Sequence, residues 1–188
     1  MIILGSASAG RKMVMEELGL DFEVLISNID EKAIRRESPE ELVLAIANAK
    51  ADALLPKISK PSLLITSDQV VLYKNKIREK PASEKEARQF LESYAKAPAT
   101  TVGAVVVVNT KTGKRFQEIQ TSTVHFKPLP ETVITAHIQS GAAMKGAGGF
   151  VIQDPLLIPF IEKIDGTFDS AAGLSKEVVT RLLNLAQA

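Results

Sequence analysis

The segment Leu63–Tyr73, LLITSDQVVLY, constrains this chain more than any other. It reads as a long strand, apolar on both sides of one polar island at Thr66–Gln69. A carboxylate inside an apolar strand is costly unless it is paired or bound to a cation. Asp68 is therefore either the cap of a strand-end loop or a functional group, carried into a cleft where α/β proteins place chemistry.

The rest of the chain alternates helix and strand signals. Ile2–Leu4 reads as a first strand, broken by the small residues Gly5–Gly10, with a helix over Arg11–Leu18 ended by Gly19. The opening MIILGSASAG has no basic residues before its apolar stretch, so it reads as a strand and not as a signal peptide. Phe22–Ile26 reads as the second strand. Ser38-Pro39-Glu40-Glu41 is a helix start with Ser at the N-cap and Pro at the first helical position. That helix runs to about Leu55, with Leu42, Ile46, Ala49 and Ala53 on one face. Ser83–Glu86 starts another helix, to about Tyr94. Val102–Asn109 and Phe116–Phe126 read as strands joined by the turn Asn109–Gly113. A helix over Pro130–Ser140, an apolar stretch at Leu157–Ile164 and a terminal helix over Ser175–Ala186 complete the pattern. Alternating elements give an α/β class, and the hairpin makes the sheet mixed. No linker separates two lobes, so one domain over residues 1–188 is expected.

Composition narrows the function. The chain has 188 residues, 24% charged and 45% hydrophobic, as in ordinary globular proteins. It has no Cys, which excludes disulfide scaffolds, thiolate metal sites and cysteine nucleophiles. With 23 basic and 22 acidic residues, it lacks the basic excess of a nucleic-acid binder. No apolar run approaches a membrane span. A small anion held by a few placed cations remains open.

Four groups are candidates for that chemistry. The turn Gly5–Lys12 joins a strand to a helix start, where backbone N–H groups and the helix dipole favour an anion. Ser6 and Ser8 add hydroxyls there, and Arg11 and Lys12 add charge. The bland alternative is an ordinary strand–helix turn, because neither a Walker loop nor a dinucleotide fingerprint is present. Asp68, with Gln69 beside it, is the second group. Asp30-Glu31 is the third: with Asp68 these carboxylates match the oxygen ligands of a hard divalent cation, although the sequence alone favours a solvated acidic loop. Lys50, Lys80 and Lys145 are the fourth, either solvated lysines or, with Arg11 and Lys12, the countercharge of a polyphosphate. His125 and His137 read as structural or surface residues.

These pieces, in their order, resemble the Maf (septum-formation) family of nucleoside triphosphate pyrophosphatases. The resemblance runs through Ser6–Lys12, Ile29-Asp30-Glu31, Ala49-Lys50-Ala51, Ser67–Val71, Glu79-Lys80-Pro81, Ala147–Gln153, Ile164-Asp165-Gly166 and Ala172–Ser175. It implies a Maf/ITPase-like α/β fold, with a mixed twisted central sheet flanked by helices and a cleft between two lobes. It implies hydrolysis of the bond between the α- and β-phosphates, with a divalent cation (Mg or Mn), in a cytoplasmic homodimer. The balanced charge and the lack of a long apolar run make a nucleic-acid or membrane partner unexpected. By the same resemblance Asp68, Glu31 and Lys80 are catalytic, and Glu31 and Asp68 hold the metal. Ser6, Ser8, Arg11, Lys12, Lys50, Gln69 and Gln153 bind substrate.

Several positions depart from the family pattern. Ala9 and Gly10 replace its Pro and first Arg, so the basic pair falls one step later, as Arg11-Lys12. That offset and Gln69 after Asp68 resemble the 7-methyl-GTP group, whereas Gln153 resembles the pyrimidine group. Ser175 replaces the Pro of the last motif. The expected substrates are non-canonical or pyrimidine triphosphates of the UTP, dTTP and CTP type. A 7-methyl-GTP pyrophosphatase and a regulatory nucleotide binder of low activity are the alternatives.

Overall fold

The computed structural model describes all 188 residues. Its strands are β1 (Ile2–Leu4), β2 (Phe22–Val24), β3 (Leu63–Tyr73), β4 (Lys76–Arg78), β5 (Ala99–Asn109), β6 (Arg115–Phe126) and β7 (Ile161–Asp165). Its helices are α1 (Ala9–Glu17), α2 (Pro39–Leu54), α3 (Glu84–Ser93), α4 (Glu131–Gln139), α5 (Phe168–Ala172) and α6 (Lys176–Gln187). The strands form one sheet in the order β2-β1-β3-β5-β6-β7, with β4 paired to β3. β1 runs parallel to β2 and β3, with Ile2 opposite both Phe22 and Leu63. β4 and β7 are antiparallel to β3 and β6. The fold is therefore the expected mixed α/β class. No helix is long and apolar enough to cross a membrane.

The chain divides into two compact units. The first comprises residues 1–68, 103–120 and 173–188, and the second 69–102 and 121–172. β3, β5 and β6 each contribute residues to both. The first unit packs Leu4, Val14, Met15, Ile65, Val105 and Val107 against Val179 and Leu182 of α6. The second packs Leu91 and Tyr94 against Phe126, Ile134, Phe150 and Ile152. There the Tyr94 ring meets Phe150 edge-on at 5.5 Å, a favoured aromatic geometry.

Local chemistry explains most element ends. Ser38 caps α2 by accepting from the Glu41 N–H, and Ser83 caps α3 through the Glu86 N–H. Gly19 and Gly141, both at positive φ, follow α1 and α4. Other ends differ from expectation. β2 stops at Val24, α1 begins two residues early, and β5 begins at Ala99. β4 and α5 carry too little periodicity to be read. The β3–β4 turn places Lys74 and Asn75 at positive φ, as a type I′ turn requires. Leu157–Ile164 contains both a short 3-10 turn, Ile158–Phe160, and β7.

The buried face of α2 needs correction in a way that matters for function. Ala49 and Ala53 are only half-buried, and the buried set is Leu42, Val43, Ile46, Ala47, Lys50, Ala51 and Leu54. Lys50 therefore lies in the middle of the buried face. A lysine is almost never fully buried without a partner.

Candidate active site

Lys50 finds its partners within the first unit. Its Nζ lies 2.7 Å from Asp68 Oδ1, 2.9 Å from Glu31 Oε1 and 3.3 Å from the Ser67 carbonyl. Asp68 is 7% exposed and Lys50 also 7%, so the ion pair is shielded from water. The Glu31 side chain is 44% exposed and reaches in from the 3-10 turn Glu31–Ala33. Asp30 has a different job: its Oδ1 caps that turn by accepting from the Lys32 N–H.

Arg11 supports the other side of this group. It is 9% exposed and donates from Nη1 to the Ser67 carbonyl (2.9 Å) and to Ser6 Oγ (3.2 Å), and from Nε to the Gly173 carbonyl (3.3 Å). A guanidinium has five N–H groups, and the Nη2 edge takes part in none of these bonds. Ser67 Oγ also donates to the Gly173 carbonyl. Ser6 Oγ accepts from the Ser8 N–H as well. Thr66 Oγ1 donates to the Ala47 carbonyl and ties β3 to α2. Gly5 lets the loop lie against β3, because a Cβ there would sit 2.6 Å from Thr66 Cγ2 and 2.8 Å from Leu54 Cδ1. The residues 66–68 thus divide their labour, one side chain anchoring the strand, one anchoring the turn at Gly173, and one facing the cations.

The electrostatics follow from burial. Desolvation raises the Asp68 carboxyl above the ordinary carboxylate range, and Lys50 and Arg11 act against that rise. Desolvation lowers the Arg11 guanidinium, with Asp68 and Glu31 acting against the fall. Glu31 and Asp68 supply hard oxygen donors, but no group of three or more His, Cys, Asp or Glu side chains is placed to hold a metal. Two carboxylates fit magnesium, which is commonly held by one or two carboxylates and the phosphates of a substrate. Ser8 and Lys12 are half-buried. Two surface concavities of the first unit, about 390 and 630 Å³, contain none of these side chains.

The second unit holds Gln69, Lys80, Lys145 and Gln153. Gln69 donates from Nε2 to the Ala171 carbonyl at 3.2 Å, so its amide nitrogen anchors α5. Lys80 and Lys145 are exposed and Gln153 is half-buried. The glycine-rich segment is pinned. The Gly148 N–H donates to the Glu79 carbonyl (3.0 Å), and the Gly148 carbonyl accepts from Tyr94 OH (2.7 Å). Burial pushes the Tyr94 phenol up to about 12, so this donor keeps its proton. The segment next to Lys80 is thus built into the core. His137 is fully buried as a structural residue, its Nδ1 2.6 Å from Asp154 Oδ2. His125 pairs with Asp165 at the surface.

Ser67, Thr66 and the Gly173 carbonyl, which hold Arg11 and β3 in place, had no role assigned from sequence. A hydroxyl on each side of the polar island was the available signal for the first two. Gly173 acts through its backbone, which no residue type announces.

The Maf family, described as Maf-like protein, matches residues 1–186. A 7-methyl-GTP pyrophosphatase from Dictyostelium discoideum is 39% identical over 97% of this chain and 95% of its own. A dTTP/UTP pyrophosphatase from Desulforamulus reducens is 34% identical over 92% and 90%. One from Treponema denticola is 31% identical over 97% and 95%. A HAM1 protein structure from Coxiella burnetii aligns over 98% of both chains with 15% identity and a TM-score of 0.44, too slight a likeness to carry an argument. The chain belongs to the Maf family.

Proposed function

We propose that this protein is a nucleoside triphosphate pyrophosphatase that releases pyrophosphate by attack of water on the α-phosphorus. The observation that carries this reading is the buried Lys50–Asp68 ion pair, joined by the half-exposed Glu31 and lying beside Arg11, assembled from three of the family's motif segments. Asp68 accepts the proton of the attacking water. The water oxygen bonds to the α-phosphorus, the bond to the bridging oxygen breaks, and pyrophosphate leaves. Arg11, through its Nη2 edge, and Ser6 and Ser8, at the start of α1, stabilise negative charge on the phosphoryl oxygens. Glu31 and Asp68 would hold a divalent cation, which supplies further stabilisation of that charge. Lys12 and Lys80 for the phosphates, and Gln69 and Gln153 for the base, keep the roles the resemblance gives them. Magnesium or manganese as the cation, a homodimer and a cytoplasmic location belong to the same proposal and rest on the family resemblance.

For the base, 7-methyl-GTP is favoured by Gln69 after Asp68, by the Arg11-Lys12 offset and by the 39% identical relative of that name. Gln153 and the relatives named dTTP/UTP pyrophosphatase favour pyrimidines. Pyrophosphate release across 7-methyl-GTP, GTP, ATP, UTP, dTTP and CTP decides between them. The highest kcat/KM on 7-methyl-GTP supports the first, and the highest on UTP or dTTP supports the second. Silence across the panel from folded protein, with magnesium and with manganese, contradicts the enzyme.

The base role of Asp68 also fixes a pH dependence. Its ionised form is the active one, and burial raises the pH at which it ionises. The acid limb of kcat/KM therefore lies above the ordinary aspartate value of about 3.9. Activity falls as pH drops through that limb. A profile flat down to that ordinary value would remove Asp68 as the base.

A further inference from the structure

The ammonium of Lys50 has three N–H groups, and three oxygens surround it: Asp68 Oδ1, Glu31 Oε1 and the Ser67 carbonyl. Two hydrogen bonds and one ion pair thus occupy the ammonium in the free protein. The lysine is also placed where a cation shared by the two carboxylates belongs, with its nitrogen within 2.9 Å of both. Counting charges, Arg11 and Lys50 contribute two positive and Glu31 and Asp68 two negative, so the group is neutral.

We propose that Lys50 is the resident counter-cation of the Glu31–Asp68 pair in the free protein, and that a divalent cation joins these carboxylates only together with a nucleotide, whose phosphates take over the Lys50 ammonium. The proposal rests on the pyrophosphatase reading and deepens it. A bare divalent cation entering the neutral group would leave two uncompensated positive charges in a site shielded from water, which is unfavourable. A triphosphate arriving with the metal brings more negative charge than the metal brings positive charge, so the excess positive charge does not arise. The geometry separates the parts that stay from those that move. Asp68 is fixed on β3, whose neighbouring residues Thr66 and Ser67 are both anchored. Glu31 is 44% exposed on a short turn and is held by its ion pair with Lys50, so it is the carboxylate free to let go. The exchange moves only side chains and breaks no covalent bond. It makes Lys50 a positioning residue in the free protein, holding Glu31 over Asp68.

The experiment measures protein-bound Mn²⁺ by loss of the free-ion electron paramagnetic resonance signal, without turnover, after subtracting the Mn²⁺ taken up by the analogue alone in protein-free titrations. Wild type, Lys50→Met and Lys50→Gln are each titrated alone and with the α,β-methylene analogues of UTP and of 7-methyl-GTP, which cannot be cleaved at the bond in question. Wild type is expected to bind Mn²⁺ about tenfold or more tightly with an analogue than alone. Lys50→Met is expected to bind Mn²⁺ alone about tenfold or more tightly than wild type does, because its carboxylates lack their counter-charge. The gain from nucleotide shrinks accordingly. If Lys50→Met does not fold, Lys50→Gln, which keeps a shorter donor, is expected to show the same direction. The proposal is overturned if wild type alone binds Mn²⁺ as tightly as the Lys50 variants do. It is equally overturned if the nucleotide gain is the same in all three proteins. Analogue binding with no Mn²⁺ uptake in any protein would overturn the metal-dependent reading itself.

Discussion

Asp68→Asn is expected to lower pyrophosphate release by about 10³-fold or more while leaving the fold intact. The amide keeps the shape of the carboxylate, and its oxygen still accepts from Lys50. It can neither take a proton from water nor offer the second anionic oxygen that a divalent cation needs. Two contributions are thus lost at once, which places the effect in the upper part of the range for a single acid–base group. Lys50 keeps Glu31 as an anionic partner, and the bonds that hold Arg11 and β3 do not need the charge of Asp68. Arg11 is held by carbonyls and a hydroxyl, and Thr66 and Ser67 keep their anchors. Turnover and a thermal melt on the same sample check both halves. Near wild-type turnover in the variant would take Asp68 out of the mechanism.

Gly146→Ala is expected to be the most damaging small substitution in the second unit. A Cβ at this position would lie 1.9 Å from the Phe150 carbonyl oxygen and 2.7 Å from its carbon. Both are backbone atoms, so no side-chain rotation relieves the clash. The residues that must shift carry Gly148, whose N–H and carbonyl are spent on Glu79 and Tyr94. Such overpacking costs about 3 kcal/mol or more, which lowers the melting temperature of a chain this size by roughly 10 °C. Gly113→Ala is the control. Gly113, unlike Gly146, has positive φ, but a Cβ there meets nothing within 4 Å. Only the left-handed backbone penalty of about 1–2 kcal/mol applies. Differential scanning calorimetry on both variants checks the contrast, and equal melting temperatures would contradict it.

The fold class was legible because its signals are local. Leu63–Tyr73 reads as a strand from its apolar run, and Ser38 and Ser83 announce their helices through capping chemistry. α5 and β4 were not legible, since a five-residue helix and a three-residue strand are too short for any period to show. The candidate site divides along the same line. Asp68 stands out because a carboxylate in an apolar strand needs a partner. Lys50 does not, because its neighbours in α2 are small and apolar and the helix has two plausible buried faces. Only the structure shows that the true face runs through Lys50. Gln69 illustrates the remaining limit: residue type marks it as polar in an apolar strand, but not that its amide nitrogen is committed to Ala171.

The most direct test of the account is to run the reaction in ¹⁸O-labelled water and weigh both products by mass spectrometry. Attack on the α-phosphorus, with Asp68 as the base, places the label in the nucleoside monophosphate and leaves the pyrophosphate unlabelled. Label in the pyrophosphate would mean attack on the β-phosphorus, and labelled orthophosphate would mean attack on the γ-phosphorus; either would contradict the mechanism.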